Sequence, residues 1–250
     1  MCGRARLESD YSELKIQFKI PDDSPSINYP PNWNLAPTQR SPIVRLEEGR
    51  RMAEMAKWGL LPYWAKDEKI AYSTINARAE TLTEKPAFRD AWRKARRCIV
   101  PVDSFYEWKV LGPKEKQPYA IGFPDRRIMP LAGLYETWKS KESGEVIRSF
   151  TIIVAGPNDF MAGIHDRMPV IVPEEAWPIW LGEREASSDQ LRDLMVPYGG
   201  QLRAWPVSKD VGNVKNTGPQ LIEPVGPDFV LETAATDGLP APETEQSGAP

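Results

Sequence analysis

The second residue, a cysteine in Met1-Cys2-Gly3-Arg4, carries the most distinctive chemistry in this 250-residue chain. Enzymes that remove the initiator methionine accept a small residue after it, so loss of Met1 leaves Cys2 as the N-terminus. Thiol and α-amine then sit on adjacent carbons, with ordinary pKa values of about 8.5 and about 8. The amine is partly uncharged at neutral pH, whereas a lysine is almost fully charged. Such a 1,2-aminothiol condenses with an aldehyde in two steps: the amine forms an imine, and the thiolate closes a five-membered thiazolidine. An internal cysteine cannot do this. The same position also suits a buried, inert cysteine in a first strand.

Three polar segments adjoin apolar runs and hold the other candidates: Ser73–Glu80 with Asn76, Asp103–Trp108 with Glu107, and Gly163–Pro169 with His165. A carboxylate in an apolar pocket has its pKa raised and can exchange protons near neutrality, which would make Glu107 an acid or base. Period-two alternation allows the opposite, with Glu107 on the outer face of a strand. His165 is the only histidine and the only side chain with an ordinary titration near neutrality. It reads either as a proton carrier at an element end or as a structural ring. Asn76 can orient a substrate oxygen or cap a turn. Cys98, in Arg97-Cys98-Ile99-Val100, reads as core filler. Arg4, Arg78, Arg89, Arg93, Arg96, Arg97 and Arg167 are candidate phosphate ligands. Trp33, Trp58, Tyr63 and Trp64 are candidates to stack on unpaired bases.

Composition narrows the class. A hydrophobic share of 41% and a charged share of 27% are those of a globular protein with ample core. No apolar run approaches the roughly 18 residues that span a bilayer. Asp10, Glu13, Lys15 and Lys19 interrupt any signal-peptide pattern. Two cysteines do not make a disulfide framework, so a cytoplasmic, reducing location is expected. One histidine and two cysteines show no metal-ligand spacing, and neither metal nor cofactor is expected. Six acids and no Lys or Arg fall after residue 218, which leaves the body of the chain mildly basic despite a net charge of −3.

The elements that must position these residues read as an α+β domain. Strands are expected at Pro42–Leu46, Met52–Leu60, Ile70–Ile75, Cys98–Val102, Phe105–Val110, Tyr119–Phe123, Ile128–Trp138, Phe150–Val154 and Met168–Val172. Short turns at 111–114 and 141–144 predict hairpins, hence a mostly antiparallel sheet. Helices are expected near Ser9–Lys19 with Ser9 as cap, Lys85–Arg96, Asn158–Ala162, Glu174–Trp180 and Asp189–Met195. Residues 233–250, rich in Pro, Ala and acids, read as a disordered tail after a domain covering 1–227.

MCGR at 1–4, WNLAPTQ at 33–39, WGLLPYWAKD at 58–67, INARAET at 75–81, FYEW at 105–108, HDRMPVIV at 165–172 and VGNVKNTGPQLIEP at 211–224 occur in that order. Together they closely resemble the SRAP family, the SOS response-associated peptidases. The resemblance implies a single domain with a barrel-like, mostly antiparallel β core and inserted helices. It implies a monomer, nucleoid-associated when engaged, that senses abasic sites in single-stranded DNA. The exposed Cys2 would crosslink to the opened sugar as a thiazolidine. It makes Cys2, Asn76, Glu107 and His165 the catalytic set, and Arg4, Arg78, Arg167 and Trp64 the DNA-binding set. Ser104 departs from the glycine that the family often has there. Two other readings remain: a cysteine peptidase, including removal of its own Met1, and a non-catalytic nucleic-acid binding module.

Overall fold

The computed structural model describes residues 2–231. The tail expected at 233–250 lies outside the described residues. The order begins β1 (Ala5–Leu7), α1 (Tyr11–Gln17), β2 (Asn32–Leu35), β3 (Arg40–Glu47), β4 (Arg50–Trp58), β5 (Asn76–Arg78), α2 (Arg89–Arg93), β6 (Arg97–Val102), β7 (Ser104–Gly112) and β8 (Glu115–Gly122). It continues through β9 (Met129–Lys139), β10 (Val146–Ala155), α3 (Asp159–Ala162), β11 (Met168–Pro169), α4 (Trp177–Leu181), α5 (Ser188–Asp193) and β12 (Arg203–Pro206).

Strands β4, β3, β6, β9 and β10 pair in that order, and β10 returns to β4, closing a five-stranded barrel. A second sheet runs β12-β8-β7-β1-β2. Nearly all ladders are antiparallel, as the hairpin turns predict; β10 breaks the rule by pairing parallel to both β4 and β5. Where sheet and barrel meet, Cys2, Phe105 and Ile121 share a core with Trp58, Phe150 and Ile152. Trp58 is fully buried, stacks on Phe150 at 6.2 Å, and donates its indole N–H to the Ile75 carbonyl at 3.0 Å. It is a core residue and does not serve as a stacking surface for bases.

Several expected elements differ. Residues Glu68–Ser73 form a 3-10 helix instead of a strand, because the Asp67 carboxylate caps it by accepting from the Lys69 amide at 2.8 Å. The expected helix at 85–96 shrinks to α2: Pro86 removes a donor amide at its start, and Ala95 turns to φ +52° at its end. Helix α1 is capped by Asp10 in a reciprocal pair with Glu13, while Ser9 instead donates its hydroxyl to Asp103 at 2.6 Å. The expected strand at 168–172 pairs regularly only through β11, with Ile171 adding one bridge to Leu131. Strands β1, β2, β5 and β12 carry too few residues for a periodic signal. Among the described residues, no helix is long and apolar enough to cross a membrane.

Gly59 opens the loop between β4 and β5. It adopts φ +119°, and a Cβ there would lie 2.4 Å from the Ala71 carbonyl oxygen. Gly59→Ala should therefore cost about 2 kcal/mol or more in urea unfolding at 25 °C. An unchanged midpoint would show that the loop tolerates a different path.

Candidate active site

Backbone pairing brings the start of the chain to Glu107. In the antiparallel β1–β7 ladder, Ala5 faces Phe105 and Arg6 faces Ser104, and the Tyr106 amide donates to the Arg4 carbonyl at 3.0 Å. The same register carried outward sets Gly3 opposite Glu107, with Cys2 next in line. Glu107 shares the inward face of β7 with Phe105, and only 2% of it is exposed. The outer-face alternative for Glu107 is thereby excluded. Tyr106 is buried too, because its hydroxyl donates to the Trp33 carbonyl at 2.7 Å. Both faces of β7 are covered here, so period two could not tell them apart.

Burial pushes the Glu107 carboxyl up to about 7. Burial also pushes the Cys2 thiol well above its usual range, and the neighbouring Glu107 carboxylate adds to this. In the resting site the sulfur is a thiol, and Glu107 is poised between acid and base.

His165 follows α3, a single turn capped by the Asn158 side chain, and its amide donates to the Met161 carbonyl at 2.7 Å. Nε2 lies 3.5 Å from Glu107 Oε2. Nδ1 accepts from the Arg167 amide at 3.1 Å and lies 3.0 Å from Asp166 Oδ1. These two Nδ1 contacts favour opposite charge states. The amide holds a neutral ring with its proton on Nε2, facing Glu107; the Asp166 carboxylate favours the imidazolium. Burial lowers the ring's pKa, so the neutral tautomer is the resting one.

Asn76 begins β5, where parallel pairing to Ile152 fixes it. Its Nδ2 donates to the Ile152 carbonyl at 3.5 Å, while its Oδ1 is buried and has no hydrogen-bond partner among the described residues. Flipping the amide would set two oxygens against each other, so Oδ1 is the atom left to accept a donor.

The other expected residues divide. Arg4 donates to Asn34 Oδ1 at 2.7 Å and to the carbonyls of Val211 and Gly212 at 2.8 and 3.1 Å. That places it as a strut between the chain start and residues 211–212, with three of its five N–H donors committed there. Arg167 pairs with Glu80. Arg78 is exposed on β5. Trp64 is 44% exposed and donates to the Pro86 carbonyl at 3.3 Å; beside it lies Tyr63, whose ring is covered by Lys94 Nζ at 5.2 Å. Two residues escaped the sequence reading. Asp166 had no spacing rule to mark it, although it follows His165 directly. Tyr72, 70% exposed, was hidden in the segment read as a strand. Cys98 is buried, as a core filler should be. Among the described residues, no group of three or more His, Cys, Asp or Glu side chains is placed to hold a metal.

A mixed barrel that carries Cys2 beside a buried glutamate, which in turn faces the sole histidine, defines a class. The SOS response associated peptidase (SRAP) family model matches residues 1–214, and the chain belongs to that family. Among its relatives, Abasic site processing protein YoqW of Bacillus subtilis (strain 168) is 44% identical over 224 residues, 89% of this chain and 99% of the relative. Abasic site processing protein HMCES of Xenopus tropicalis is 31% identical, covering 88% of this chain and 77% of the relative. A crystal structure of a Bacteroides thetaiotaomicron protein superposes with a TM-score of 0.79 at 27% identity, over 89% of this chain and 99% of that one.

Glu107 makes stability depend on pH. Its pKa is raised on folding from 4.5 to about 7, so the folded chain keeps a proton that the unfolded chain releases. The favourable contribution is complete below 4.5 and is lost as pH rises to about 7. Above that, the buried charge costs about 3 kcal/mol. Glu107→Gln should therefore raise the urea midpoint at pH 8 and leave it nearly unchanged at pH 4. Equal effects at both values would mean that Glu107 titrates normally.

Proposed function

We propose that the chain processes abasic sites in single-stranded DNA by trapping the opened sugar on Cys2 once Met1 has been removed. The observation that carries this reading is a buried carboxyl of pKa about 7 at the head of the chain, 3.5 Å from the sole imidazole. The names of the relatives, abasic site processing proteins, point the same way.

An abasic sugar rests mostly as a closed hemiacetal. His165, with its proton on Nε2, supports opening by proton transfer at the ring oxygen. The neutral α-amine of Cys2 attacks C1′, and Asn76 Oδ1 orients the amine or a sugar hydroxyl by accepting a hydrogen bond. Glu107 in its acid form protonates the departing hydroxyl, and water leaves as the imine forms. The carboxylate so produced takes the proton from the Cys2 thiol. The imine nitrogen keeps its proton throughout, so sulfur adds to C1′ of the iminium and the ring N–H results directly. Overall the aldehyde and the aminothiol give a thiazolidine and one water. Because burial keeps the sulfur protonated, the amine reacts first. Ring closure consumes the imine, which would otherwise lead to β-elimination and strand cleavage. Asp166 holds the imidazolium whenever His165 carries the proton.

Trp64 and its aromatic neighbours suit unpaired bases, and Arg78 suits the backbone. The mildly basic body implies weak non-covalent binding at physiological salt, with the covalent bond supplying persistence. A cysteine peptidase needs an imidazole nitrogen on the sulfur. Here Nε2 faces Glu107 and Nδ1 takes the Arg167 amide, which favours the trapping reaction.

Cys2→Ser separates the two steps. It keeps the amine and loses the sulfur, so it should give an abasic-DNA adduct that survives denaturation only after borohydride reduction. The parent adduct should survive without it. A stable adduct from unreduced Cys2→Ser protein would rule out the thiazolidine.

A further inference from the structure

The chain continues past the stretch matched by the family model, which ends at residue 214, and comes back to the candidate active site. The Val225 amide donates to the Pro206 carbonyl at 2.9 Å, and the Phe229 amide to the Ala204 carbonyl at 2.7 Å, so 225–229 runs along β12. Asp228 accepts two hydrogen bonds from Arg203, at 2.7 and 3.1 Å. This clamp aims the Phe229 ring at the element that carries His165. The ring meets Phe160 of α3 edge-on at 5.4 Å and Tyr119 of β8 at 5.9 Å, while Lys109 Nζ covers it at 4.5 Å. It also fills the space over Gly163, where a Cβ would lie 2.6 Å from Phe229 Cζ. Helix α3 is a single turn, too short to hold itself in water. Its placement depends on what packs against it, and the His165 amide hangs from the Met161 carbonyl.

We infer that Phe229 is a positioning residue for His165: it wedges α3 and Gly163 against β8 and so holds the imidazole at Glu107. For its kinetic consequence this rests on the proposed trapping reaction. For its structural content it does not.

The single histidine supplies a direct readout, because in a tag-free protein the imidazole C–H resonance belongs to His165 alone. In the parent, the ring titrates below the ordinary value. Burial is the main cause and Lys116 acts in the same direction, while Asp166 and the Arg167 amide oppose them; Glu107 faces the ring from β7. Phe229→Ala should loosen α3, let water reach the ring and return its titration toward the ordinary histidine value. Trapping of an abasic oligonucleotide should slow about ten-fold, because misplacement of a proton carrier by a fraction of an ångström is enough for that. Phe229→Leu keeps an apolar wedge and should restore most of both readings, which distinguishes positioning from general unfolding. In a His165→Ala background, Phe229→Ala should slow trapping no further. An unchanged His165 titration in Phe229→Ala, or equal slowing with and without His165, overturns the inference. If no variant traps abasic DNA, the proposed reaction fails, and the titration still decides whether Phe229 positions the ring.

Discussion

The pairing of β1 with β7 is the constraint on which the rest depends. It brings the first residues of the chain, which are commonly frayed, alongside the buried Glu107. A free terminus is a poor place for chemistry because its atoms are not held. Here β2 pairs with β1 on its other side, and the Arg4 guanidinium ties the start to residues 211–212. In the proposed reaction, an amine and a thiol on so constrained a backbone would need little further ordering before they react.

The site is built at some expense to stability, and the barrel carries it. Glu107 and Asn76 Oδ1 are buried where apolar atoms would be cheaper. Burial of one large side chain contributes about 1.5–3 kcal/mol, so the Trp58–Phe150 stack alone offsets the Glu107 charge at neutral pH. The parallel seam at β10 does positional work as well. It anchors β5, and hence Asn76, on the strand that leads into α3 and His165. Two of the four residues therefore hang from one strand, and the other two from one ladder.

Much of the barrel was legible in the chain because its strands are long runs of β-branched and aromatic residues bounded by turn signals, as in 128–138 and 150–154. The short strands were not, since three or four residues hold no period. The 70–75 segment looked extended because its apolar residues cluster, and only the Asp67 cap makes it helical. The site was legible in residue types. Its geometry was not: the face on which Glu107 lies depends on a second layer that no local pattern reports. Arg4 carries a role that no motif reports, since its guanidinium also bridges to Asn34 and two carbonyls across the fold. Phe229 fell between the recognisable motifs and the acidic tail, and only the packing against Gly163 brings it to the site.

The central claim is that a free aminothiol at the mature N-terminus captures a sugar aldehyde. Intact mass spectrometry before and after mixing with an abasic single-stranded oligonucleotide tests it most directly. Protein lacking Met1 should gain the oligonucleotide mass less one water, and protein whose α-amine has been blocked should gain nothing. A full-rate adduct on amine-blocked chains, or on chains that still carry Met1, would contradict it.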